Sequence, residues 1–133
     1  MGNGLTEQTC YNTRLQPTIR RLGTGTQSGC ANGGDKLHLT FDWGSATQNN
    51  GNLKGQTIAA PGFSQTQYYE YDATNRLKIA VEGAPVPGSL TCPATSSWCR
   101  EYNYDHFGNR WVSSNQTMWM STPIRQRGFG AAK

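Results

Sequence analysis

Two near-copies of one short pattern constrain this chain more than anything else in it: Tyr69-Glu70-Tyr71-Asp72-Ala73-Thr74-Asn75-Arg76-Leu77 and Tyr102-Asn103-Tyr104-Asp105-His106-Phe107-Gly108-Asn109-Arg110-Trp111. The nine positions of the first copy align in order with the second, which has one residue inserted. Successive side chains of a strand point to opposite faces, so Tyr69 and Tyr71, and likewise Tyr102 and Tyr104, share one side of a sheet. Asp72 and Asp105 can fold their carboxylates onto backbone N–H groups two residues on, which opens a tight turn. Asn75 and Gly108 then fall where a type I turn followed by a left-handed residue needs one, and these residue types resist that conformation least. Arg76-Leu77 and Arg110-Trp111 restart the outgoing strands. The pattern predicts strands over 64–71, 76–81, 98–104 and 109–115, with little helix.

Fainter copies lie upstream. Leu39-Thr40-Phe41-Asp42-Trp43-Gly44 ends in the same aromatic-Asp step, followed by a longer polar turn, and Asn50-Gly51-Asn52-Leu53 restarts a strand. Cys10-Tyr11-Asn12-Thr13-Arg14-Leu15 reads as a shortened version with Asn in place of Asp. Tyr11, Phe41 and Tyr71 follow one another at intervals of thirty residues, and Tyr104 comes after a slightly longer gap. A fixed period of this length is the signature of an array of supersecondary units, and four units fit in the chain.

These residues resemble the repeats of RHS/YD-repeat proteins. The family's usual form, Tyr-x-Tyr-Asp-x-x-Gly-Arg-Leu or its Gly-Asn-Arg variant, is matched at Tyr69 to Leu77 and at Tyr102 to Trp111; the resemblance covers about 5–116, strongly in the last two units and weakly in the first two. It implies an all-β fold of antiparallel hairpin repeats. Known members coil such hairpins into a β-sheet spiral that closes into a hollow shell, in large bacterial secreted or surface proteins, insecticidal toxin complexes and animal teneurins. Those shells use many more repeats than four. The resemblance therefore implies one β-repeat domain over 1–133, with an irregular tail at 117–133, that forms a piece of a shell. The tail shows neither the Asp-Pro-rich self-cleaving segment nor the toxin domain that follows the repeats in toxin-delivering members.

Composition agrees with a thin-cored β protein. Only 15% of residues are charged, and four Phe, four Trp and six Tyr must supply much of the apolar surface. Repeat units that cannot bury their apolar faces alone need neighbours, and unpaired strand edges, such as one at 64–71, invite pairing with another chain. A homo-oligomer is the expected partner state. No stretch approaches the roughly twenty apolar residues of a membrane helix. Met1-Gly2-Asn3-Gly4-Leu5 carries neither a basic nor an apolar leader region, so these residues encode no signal peptide; the parent family is secreted or surface-exposed, and the location of this chain stays open.

Cys92 and Cys99 flank Pro93 to Trp98, and Cys10 and Cys30 flank the loop from Gly23 to Gly29, so two short disulfides would fix two loops; four reduced thiols are the alternative, decided by the redox compartment. The cysteine spacings and the remoteness of His38 and His106 from them point to no metal site, and no cofactor motif is present. Catalytic candidates are weak: His38, His106, Asp72 and Asp105, with both aspartates at turn-opening positions. No nucleophile elbow or phosphate loop occurs. A net charge of +4 raises nucleic-acid binding, yet no recognised module accompanies it, and the motif itself explains Arg14, Arg76 and Arg110. Trp43, Trp98, Trp111 and Trp119 are candidates for stacking on a sugar. The leading expectation is a structural or binding module that packs against neighbours and contacts glycans or protein cargo; the alternative is a small hydrolase with a site on the sheet or between subunits.

Overall fold

A computed structural model describes residues 4–25, 29–30, 35–83, 91–93 and 96–117. Strands β1 (Leu5–Tyr11), β2 (Pro17–Thr24), β3 (Leu37–Asp42), β4 (Gly55–Ala60), β5 (Phe63–Tyr71), β6 (Leu77–Glu82), β7 (Trp98–Tyr104) and β8 (Arg110–Thr117) follow one another as an antiparallel meander in a single open sheet. No helix occurs among the described residues.

The meander revises one expectation. The segment 64–71 is not an edge: β5 pairs with β4 through Gly55↔Tyr68 and with β6 through Tyr69↔Ala80. Each hairpin hands its outgoing strand to the next through a connection on the opposite rim, the tightest being Pro61-Gly62 with Gly62 at φ +74°. Among the described residues, only β1 and β8 have a strand neighbour on one side alone.

Residues directly paired across strands share a face. Following the registers, Cys10, Ile19, Thr40, Thr57, Thr66, Tyr68, Val81 and Cys99 lie on one face, whereas Tyr11, Arg20, Leu39, Phe41, Ile58, Tyr69, Ala80, Arg100, Tyr102 and Val112 lie on the other. The first face holds the small core. Ile79, Val81 and Cys99 are 2% exposed or less, with Tyr68 and Cys92 packed against them. That core is aliphatic and sulfur-bearing, not aromatic as composition suggested. Tyr69, Tyr71, Tyr102 and Tyr104 stay half-buried instead, because among the described residues no second layer of structure covers their face.

Disulfides join Cys10 to Cys30 and Cys92 to Cys99, with Cα–Cα distances of 6.1 and 5.8 Å. Each links a buried strand cysteine to a connection on the rim away from the Tyr-Asp turns. A polar contact accompanies each link. Arg21, 2% exposed, donates from Nε to Gln8 Oε1 at 2.9 Å and reaches the Gly29 carbonyl; the Glu101 carboxylate accepts the Cys92 N–H. A buried guanidinium needs such acceptors, since leaving it without them would carry a large desolvation cost. These tethers give the core face the only second layer seen among the described residues.

Candidate functional site

The rim that carries the Tyr-Asp motifs is built from one repeated turn. In the hairpin from β5 to β6, Asp72 Oδ1 accepts the N–H groups of Thr74 and Arg76, each at 2.9 Å, while Asn75 N–H donates to Asp72 C=O at 3.0 Å. Asp105 makes the same contacts between β7 and β8, accepting Phe107 N–H at 2.9 Å and Asn109 N–H at 2.8 Å, and Gly108 N–H donates to its carbonyl at 3.1 Å. Asn75 and Gly108 sit at φ +62° and +87°.

The first unit uses the same turn at full length. Asn12 Oδ1 accepts the N–H groups of Arg14 at 2.9 Å and Gln16 at 3.0 Å, and loops 12–16, 72–76 and 105–109 are equally long. The Arg14-Leu15 pair therefore does not restart a strand. Leu15 occupies the left-handed position, at φ +60°, with 82% of its surface exposed. The turn of the last unit therefore holds no inserted residue: Asn109 completes it, and both hairpins carry a one-residue register shift, Glu70↔Ile79 followed by Tyr71↔Leu77 between β5 and β6 and Glu101↔Ser114 followed by Tyr102↔Val112 between β7 and β8. The Asp42 loop is long, as expected; Asp42 Oδ1 accepts Gly44 N–H at 2.8 Å, and Lys54 N–H closes on Asp42 C=O at 2.7 Å.

Side chains tie each turn to the next. Gln16 and Asn49 exchange amide hydrogen bonds at 3.3 and 2.6 Å, and Arg14 Nη1 donates to Asn49 C=O at 2.5 Å. Asn50 and Asn52 both donate to Asn75 Oδ1, at 3.3 and 2.8 Å. Tyr104 O–H donates to Leu77 C=O at 2.6 Å, and the Arg76 guanidinium lies 4.4 Å from the centre of the Tyr104 ring. Arg110 stacks on Tyr102 and Arg100 on Trp98 in the same manner, at 4.6 and 5.3 Å, so β7 presents a row of cation-covered rings on one face.

The catalytic candidates are dispersed. Asp72 is held well below the usual carboxylate range, first by the Arg76 N–H and then by the Thr74 and Arg76 side chains; Asp105 is lowered mainly by the Asn109 amide. Both carboxylates are engaged by their own turns. His38 sits across from Arg21 in the sheet with Nε2 buried and unbonded, and His106 packs its ring 3.7 Å from that of Phe107. Neither histidine hydrogen-bonds a carboxylate among the described residues. An open groove of about 580 Å³ on the opposite rim is lined by Phe63, Thr66, Tyr68, Glu82 and Ser97 among others, and contains neither histidine. Its Glu82 carboxylate already accepts from Gln67 and Ser97. Among the described residues, no cluster of three or more His, Cys, Asp or Glu side chains could hold a metal ion.

The tryptophans differ in availability. Trp43 Nε1 donates to Pro17 C=O at 2.7 Å, Trp98 lies under Arg100, and Trp111 is 49% exposed; Trp119 lies outside the described residues. Sequence reasoning singled out Trp111 but missed the rest of a set of exposed apolar residues around the open edges. Tyr11 and Leu15 flank β1, and Phe107, Trp111 and Val112 flank β8, each 40% exposed or more. Aligning the first unit from Asn12 forward would have flagged Leu15; the exposure of the others depends on where the sheet ends.

Comparisons with family models, curated proteins and solved structures returned no match.

Proposed function

We propose that the chain is a structural and binding module of RHS/YD-repeat type, a segment of β-sheet shell that acts by packing against neighbouring sheet and offering its aromatic face to a glycan or protein cargo. The observation that carries this reading is the single-layer meander with three matching Asx-opened turns and, among the described residues, two open edges, at β1 and β8. Unpaired strand edges present rows of N–H and C=O groups that pair readily with another strand. A sheet whose buried hydrophobic cluster, among the described residues, is limited to Ile79, Val81 and Cys99 gains most from neighbours that extend it. The commitment of Asp72 and Asp105 to their turns weighs against the hydrolase alternative. Light scattering on the purified chain tests the proposal: association at micromolar concentration is the expected result, and a folded monomer across a broad dilution series would overturn it.

A further inference from the structure

We infer that copies of this chain join head to tail, the β8 edge of one receiving the β1 edge of the next, through an apolar contact of Trp111, Val112 and Phe107 with Tyr11 and Leu15. This rests on the reading of the chain as a sheet segment that joins neighbours, and adds which edges meet and in which orientation.

Three observations carry it. Among the described residues, five of the six large hydrophobic residues that stand exposed lie beside the two open edges: Tyr11 (60%) and Leu15 (82%) at β1, and Phe107 (80%), Trp111 (49%) and Val112 (40%) at β8. All five sit at the rim of the Tyr-Asp turns, since β1 ends there and β8 begins there. Tyr11 and Val112 also share a face of the sheet.

Strand direction selects the pairing. In an antiparallel meander of even strand number, β8 runs opposite to β1, so a second copy placed alongside continues the sheet antiparallel with both turn rims aligned. Tyr11 and Leu15 of the incoming copy then arrive level with Trp111 and Val112. Pairing β8 with β8, or β1 with β1, in antiparallel fashion about a two-fold axis normal to the sheet would bring the turn rim of one copy to the far rim of the other, and parallel pairing about an axis along the strands would turn the matching faces to opposite sides, so neither sets Tyr11 and Leu15 against Trp111 and Val112.

Leu15 supplies the third observation. The equivalent positions of the other two turns hold Asn75 and Gly108, whereas here a leucine adopts φ +60° with its side chain almost wholly exposed. A residue strained in backbone and unfavourably solvated is out of place in an isolated turn, and such local conflicts mark functional positions. A neighbouring β8 edge would cover it.

A contact between two different surfaces does not close on itself unless the rotation completes a ring, so wild-type protein is expected to form a ring or a concentration-dependent series of oligomers. The deciding experiment uses two single-edge variants, Tyr11→Lys/Leu15→Lys and Trp111→Lys/Val112→Lys, with circular dichroism to verify folding and light scattering to read mass. Head-to-tail joining predicts that each variant alone is monomeric and that an equimolar mixture doubles in mass, because each retains the edge the other lacks. If wild-type protein is monomeric, the sheet-segment reading itself fails. If wild-type protein associates but either variant dimerises alone, or the mixture stays monomeric, only the head-to-tail assignment is overturned. Leu15→Asn guards against misfolding, since it relieves the strained turn: a several-fold weakening of self-association is expected, and unchanged association would remove Leu15 from the contact.

Discussion

Asn109 does in the last hairpin what Arg76 does in the one before it: Asn109 Nδ2 donates to Asp105 Oδ2 at 2.7 Å, and Arg76 Nε donates to Asp72 Oδ2 at 2.7 Å. Any side chain that can present an N–H to the second carboxylate oxygen completes the turn. Only arginine also reaches the neighbouring unit, by stacking on Tyr104. Arg76→Asn should therefore preserve the turn and lose the stack, which is worth about 0.5–1 kcal/mol at an exposed site. Thermal denaturation of the variant beside Tyr104→Leu and the double variant would measure it; strictly additive effects would show that the two residues are uncoupled.

Gly108 stands at φ +87°, and a Cβ built there meets nothing within 4 Å. The effect of Gly108→Val is thus confined to backbone strain. A β-branched residue is strongly disfavoured in this region, so a loss of about 1–2 kcal/mol or more is expected in urea denaturation. An unchanged midpoint would mean that the turn adopts another conformation in solution.

Leu15 tests the same physics in the opposite direction. A non-glycine residue in the left-handed region carries a strain of about 1–2 kcal/mol, and asparagine tolerates it best among side-chain-bearing residues. Leu15→Asn should raise monomer stability by about 1 kcal/mol, measured at concentrations below those of self-association.

Acid should weaken the fold through its turns. Asp72 and Asp105 have native pKa values lowered from the ordinary aspartate value, chiefly by the Arg76 N–H and by the Asn109 side chain respectively. A lowered native value means that the unfolded chain takes up protons first as pH falls. The stabilisation is present above about pH 4, the unfolded aspartate range, and is lost as pH drops through the lower native values. Melting temperature should hold between pH 7 and 5 and fall below about pH 4. Asp105→Asn should keep the turn, because Asn12 with Gln16 already forms the same structure from two amides, with Asn12 Nδ2 donating to Gln16 Oε1 at 2.9 Å. It should also flatten the acid limb.

Removing the disulfides should separate by loop size. Cys10 and Cys30 are 20 residues apart and Cys92 and Cys99 are 7 apart. Chain entropy assigns about 3 kcal/mol to the longer link and about 2 kcal/mol to the shorter. Paired alanine substitutions followed by chemical denaturation would check both values; a larger loss for Cys92→Ala/Cys99→Ala would show that packing of Cys99 against Ile79 and Val81 outweighs loop closure.

What could be read from the residues alone was the local part. The Asp72 and Asp105 turns close within five residues through hydrogen bonds from one carboxylate, and they need a left-handed residue at one defined place. Alternating aromatics before them and β-formers after them suffice to give the strands from Phe63 to Thr117. The Asn12 turn was harder to read because Leu15 hides the left-handed position that Asn75 and Gly108 announce. Tertiary structure alone decided the rest. Whether β5 is an edge depends on β4, whose place in the sheet follows from pairing across the long Asp42 loop. The bonding of Cys10 to Cys30 depends on where the connection after β2 returns. The exposure of Tyr11, Trp111 and Val112 depends on β1 and β8 having no outer neighbour among the described residues. Short-range hydrogen bonding and φ preference are encoded within a few residues, whereas pairing partners, edges and burial are set by contacts between segments far apart in the chain, and no local pattern records them.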